Sequence, residues 1–144
     1  MRVLIIGFGN PLRSDDGLGW HVAEQLSQTL PQSDVQVIAA HQLTPEMAES
    51  ASHVGRMVFI DASRMGEPGN LQCERVVPVV AHNRYTHDLS PAGLLGLAQE
   101  LYGRFPEAYL LTIAGECFET GDTMSATVEK AIPALLAEVA RLLE

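Results

Sequence analysis

Three aspartates and a histidine are the residues of this sequence best placed to do chemistry. Asp15 and Asp16 stand side by side in GFGNPLRSDDGLG, residues 7–19; Asp61 ends the apolar run RMVFIDA; His87 lies in THDLSP, just ahead of a helix start signal. Carboxylate oxygens and a neutral imidazole nitrogen form a mixed ligand set suited to a divalent transition metal, and a carboxylate can also serve as a general base. A glycine-rich turn after a first strand usually cradles phosphate through its backbone N–H groups. Adjacent carboxylates there repel an anion, so a cation is the better expectation. Each residue also has a plainer reading. Asp15 precedes a helix and could be its N-cap, but Asp15 and Asp16 cannot both cap one helix end. Asp61 could simply close a buried strand. His82 reads as an exposed loop histidine, and His21, His41 and His53 as surface residues in or beside helices.

A site built from positions 16, 61 and 87 needs a scaffold that brings them together. Five strand-length apolar runs, at residues 2–7, 35–40, 56–62, 71–77 and 108–115, alternate with helical periodicity at 18–30, 45–53, 91–103 and 124–143. The last helix sets Val128, Ile132, Leu135, Leu136, Val139 and Leu143 on one face. Ser90 and Pro91 form an N-cap and first-turn pair for the third helix, and Gly103 is its stop signal. The alternation predicts an α/β fold with a mostly parallel sheet and helices on both faces. Ligands of such sheets bind beyond the carboxyl ends of the strands, where the strand order reverses. With strand two on one side of strand one and strand three on the other, the carboxylates meet there. Within the glycine loop, Gly9 or Gly17 is expected to adopt positive φ. The longest irregular stretch, residues 78–89, has a length often associated with function.

Composition narrows the partners. The chain has 144 residues, which predicts a single domain over 1–144. The formal net charge is −9 and Lys130 is the single lysine, which argues against nucleic acid and anionic lipid as partners. A protein or small-molecule partner is expected instead. No apolar run is long enough to span a membrane, and MRVLIIG lacks the features of a signal peptide. Cys73 and Cys117 form no CxxC pair, so a reducing, cytoplasmic setting is expected, with both cysteines buried as small apolar residues. Phe8 and Trp20 flank the acidic loop, either as core or as the lining of a groove. Gly7 and Gly9 are followed by Leu12 where a dinucleotide fingerprint needs its third glycine; no Walker lysine follows, and HExxH, DTG and GxSxG are absent.

A phospho-acceptor receiver domain also has an acidic pair after strand one and an aspartate ending strand three. It requires a lysine after strand five, where this chain reads TIAGECFETG. In contrast, GFGNPLRSDDGLG, FIDAS, THDLSP and LLTIAGECFETGDTMS, in that order along nearly the whole chain, resemble the maturation endopeptidases of nickel–iron hydrogenases. The resemblance implies a three-layer α/β/α domain whose five-stranded sheet has the order 2-1-3-5-4, with strand four antiparallel. It implies an aspartyl-type peptidase that removes a carboxyl-terminal extension from the hydrogenase large-subunit precursor after nickel insertion. It also implies that Asp16, Asp61 and His87 contact the metal, which belongs to the substrate. Some relatives have glutamate at the place of Asp16. Outside the enzyme class, the same surface would suit a chaperone-like protein that binds the nickel-loaded precursor without cutting it.

Overall fold

The computed structural model describes residues 2–31, 33–80 and 89–144. Strand β1 (Val3–Phe8) shows why the apolar runs are strands. Leu4 and Ile6 point into one cluster while Val3 and Ile5 point into another, so a period of two buries both faces. Strand β3 (Arg56–Ser63) repeats the pattern, with Met57 and Phe59 on the first side and Val58 and Ile60 on the second. The first cluster is closed by α2 (Met47–Ser52) and α3 (Pro91–Tyr102), and the second by α1 (Leu18–Thr29) and α4 (Ala126–Leu142). The remaining strands are β2 (Val35–Ala40), β4 (Leu71–Val76) and β5 (Glu107–Ala114).

The sheet order is β2-β1-β3-β5-β4, parallel throughout except for β4, which runs antiparallel to β5. Strand order therefore reverses at β1, as the sequence reading assumed. Helix ends follow their signals. Ser90 Oγ accepts from Gly93 N at 3.0 Å with Pro91 in the first turn, and Gly103 ends α3 at φ +75°. Along α4, Val128, Leu135 and Val139 are buried, and Ile132, Leu136 and Leu143 pack beside them. Arg56 ties the end of α4 to the start of β3, donating to the Leu142 carbonyl at 2.7 Å while pairing with Glu107 at 2.9 Å. A cation at that carboxyl end also complements the helix dipole.

Two sequence expectations need correction. Cys73 is exposed and Cys117 is only half-buried, so neither is a core residue. Cys73 lies on the edge strand β4, most of whose residues are open to solvent. Asp15 is not the N-cap of α1. That position is Gly17, without a side-chain bond, and the acidic pair sits one element earlier, in a 3-10 turn over Ser14–Gly17.

Candidate functional site

The acidic loop leaves β1 through a tight set of backbone contacts. Gly9 sits at φ +148° and donates its N–H to the carbonyl of Ala40, at the end of β2, at 3.0 Å. Gly9 thus meets the expectation of positive φ at Gly9 or Gly17; Gly17 has φ −79°, and what requires glycine there is space, since a Cβ would lie 2.7 Å from Pro11 Cα. Space also explains Gly7 and Gly19. A Cβ on Gly7 would be 1.9 Å from the Gly19 carbonyl oxygen, and one on Gly19 would be 2.2 Å from that of Ile60. The bare backbones let the first turn of α1 press onto β1 and β3, which brings the acidic loop over the strand ends.

Asp16 is half-buried in the 3-10 turn, and its Oδ2 accepts from Asn10 N at 2.9 Å. Asn10 is in turn held by Leu12 N donating to its Oδ1 at 2.9 Å. Asp61 lies two residues before the end of β3, in register with Thr112 of β5. Among the described residues its Oδ1 accepts from the adjacent Ala62 N, at 2.8 Å. Burial pushes the Asp61 carboxyl up to about 7, against the lowering effect of that N–H; the Asp16 charge raises it further and Arg64 lowers it. The Asp16 charge is therefore near enough to reach Asp61. At neutral pH, Asp61 is poised between its protonated and ionised forms.

Asp15 faces the other way and has another task. It is fully buried, with Oδ2 accepting from Glu116 N at 2.8 Å, Cys117 N at 3.0 Å and Ser125 Oγ at 2.9 Å, while Oδ1 accepts from Ser125 N at 2.7 Å. Burial alone would raise its pKa; the four donors outweigh that and hold it below the ordinary value. Ser125 is the N-cap of α4, its Oγ accepting from Val128 N. Backbone bonds reinforce the seam, from Asp15 N to the Cys117 carbonyl and from Ser14 N to that of Gly121, both at 2.9 Å. The acidic pair thus divides its work. Asp15 clamps the loop to the segment after β5, while the Asp16 carboxylate is held by Asn10 N within the loop. The sequence reading missed this role because no local signal links position 15 to positions 116–125.

His87 and His82 lie outside the described residues. Among the described residues no group of three His, Cys, Asp or Glu side chains could hold a metal ion; of the three expected donors, Asp16 and Asp61 are the ones described. Of the aromatic residues beside the loop, Phe8 packs against the first core cluster. Trp20 is half-buried and meets His21 edge-on, with ring centroids 5.2 Å apart.

No protein-family model matches the chain. Among curated proteins it is 30% identical over 148 residues to the hydrogenase 2 maturation protease of Escherichia coli, covering 96% of this chain and 88% of that one. Among solved structures, the hydrogenase maturating endopeptidase HybD of E. coli superposes with a TM-score of 0.72 at 27% identity, over 96% of this chain and 90% of that one. The nickel–iron hydrogenase maturation protease HycI of Thermococcus kodakarensis shares the fold, with a TM-score of 0.78 at 22% identity over 99% and 92% of the two chains. With an acidic pair divided between clamp and crevice, the 2-1-3-5-4 sheet, and a curated relative matched along almost its whole length, this chain belongs to the hydrogenase maturation proteases, a family of endopeptidases.

Proposed function

We propose that the protein removes the carboxyl-terminal extension from the nickel-loaded large-subunit precursor of a nickel–iron hydrogenase, and that Asp16, Asp61 and His87 are the residues that meet the nickel. The observation that carries this reading is the half-buried Asp61 near the carboxyl end of β3, within reach of the Asp16 charge from the loop that follows the adjacent strand β1. A carboxylate whose ionisation is opposed by burial and by a neighbouring negative charge is a site waiting for positive charge. A nickel ion arriving in the precursor supplies that charge, and Asp61 releases its proton as the ion docks. Docking aligns the scissile peptide with the crevice, where the ion polarises the carbonyl toward attack by water. This carboxylate-based arrangement is the sense in which the enzyme is an aspartyl-type peptidase.

The cytoplasm is the proposed setting, where both cysteines, neither in a disulfide, stay reduced. Among the described residues no helix is long and apolar enough to cross a membrane. The test is direct. Purified protein is mixed with nickel-loaded large-subunit precursor, and the mass of the large subunit is followed. Loss of the extension supports the reading. A precursor that binds but keeps its full mass would instead make the protein a non-cleaving binder.

A further inference from the structure

The stretch GECFETGD after β5 frames the Asp15 carboxylate, but Phe118 within it does something else. A Cβ on Gly115 would lie 2.4 Å from Phe118 Cζ and 2.9 Å from Cε2, so this edge of the ring rests on bare backbone that only glycine provides. Over the face of the same ring lies the guanidinium of Arg64, its Cζ 4.2 Å from the centroid. The ring seats an otherwise exposed side chain, whose N–H groups make no hydrogen bond among the described residues.

Arg64 follows directly after β3, three residues beyond Asp61, and its charge reaches that carboxylate. Yet it forms no ion pair among the described residues, whereas Arg56 is paired with Glu107 and Arg141 with Glu138. In a chain of net charge −9, a cation seated on an aromatic platform beside the crevice, its donors unspent among the described residues, is arranged to meet negative charge from outside. Resting as it does on the endopeptidase reading above, the substrate at this crevice is a peptide, so that charge is a carboxylate. We propose that Arg64, seated on Phe118, is a specificity residue that takes a carboxylate of the precursor's extension, either an acidic side chain or the terminal carboxylate.

The experiment measures processing of nickel-loaded precursor by wild type, Arg64→Ala, Arg64→Glu and Phe118→Leu. Each acts on the native extension, on one whose acidic side chains are changed to amides, and on one whose terminus is displaced by added Gly-Ser residues. Arg64→Ala is expected to lower kcat/KM on the native extension about tenfold, mainly through KM, the scale of one oriented charge-assisted contact. Phe118→Leu, which keeps the charge but unseats it, gives a smaller loss. The Arg64→Ala deficit disappears on whichever altered extension lacks the recognised carboxylate: the amide form if it is a side chain, the displaced form if it is the terminus. Arg64→Glu falls further, and recovers when lysine replaces the recognised acid or, for a terminal carboxylate, when lysine is appended. Native processing by Arg64→Ala at the wild-type rate, or an equal deficit on all three extensions, overturns the proposal. Failure of wild type to cut any precursor is a different result: it overturns the endopeptidase reading, and the Arg64 role with it.

Discussion

Burial holds the Asp61 carboxyl at about 7, whereas its ordinary value is 3.8. Because the folded value is the raised one, the stability linked to this group is fully present below pH 3.8 and is lost as pH rises through 7. Asp61→Asn removes that loss. The variant should therefore be more stable than wild type at pH 8, by about 1–3 kcal/mol after allowance for solvent screening, and nearly equal to it at pH 4. Urea unfolding at the two pH values checks this, and a difference independent of pH would show that Asp61 is not the raised group. The same substitution should lower processing at least about 100-fold, as should Asp16→Asn and His87→Gln, since each removes a proposed contact to the nickel. Asp16→Asn has a second signature. Without the neighbouring charge, the Asp61 titration should move to lower pH, which carbon-detected NMR of the carboxyl can follow. The residue proposed to meet the nickel is thus held at a cost to the fold.

The elements around that residue show what local pattern can and cannot reveal. Asp15 is the fixed point, since its carboxylate gathers the backbone after β5 and the N-cap of α4. Its folded pKa is the lowered one, so its stabilisation is present above the ordinary carboxylate range and is lost as pH falls. Asp15→Asn should cost about 3 kcal/mol at pH 7, because an amide nitrogen would face N–H donors that lose their acceptor, and the gap should narrow below pH 4. Thermal unfolding across pH measures both. Gly19→Ala should be worse, as its Cβ would meet the Ile60 carbonyl oxygen at 2.2 Å. The strands, helices and caps were legible because each is written in neighbouring residues: β1 in its alternation, α3 in Ser90, Pro91 and Gly103. The place of Asp61 near the carboxyl end of β3 was legible because an α/β sheet dictates where strand ends meet. The Asp15 clamp was not, since its partners are about a hundred residues away and any buried acceptor would leave the same local sequence. Nor was the exposure of Cys73, because alternation cannot tell an edge strand from a covered one.

Over the whole molecule, the question is which partner owns the metal. A peptidase that keeps its own cation loses activity when a chelator removes it. Here the proposed donors are two carboxylates and one imidazole, without a thiolate. One of the carboxylates, Asp61, is held at about 7, so a free ion must displace its proton before gaining the ligand. That competition weakens capture of free nickel near neutral pH. On the proposed mechanism the ion in a precursor arrives differently: the rest of the large subunit would bind the enzyme surface, and the anchored metal would meet the crevice at high effective concentration. Enzyme treated with chelator and then freed of it should therefore cleave nickel-loaded precursor at its original rate. It should leave the nickel-free precursor whole, and adding free nickel to the enzyme alone should not change that. Mass spectrometry of the large subunit distinguishes the outcomes. Lasting loss of activity after chelation would assign the metal to the enzyme, and efficient cutting of nickel-free precursor would remove the metal from the recognition step.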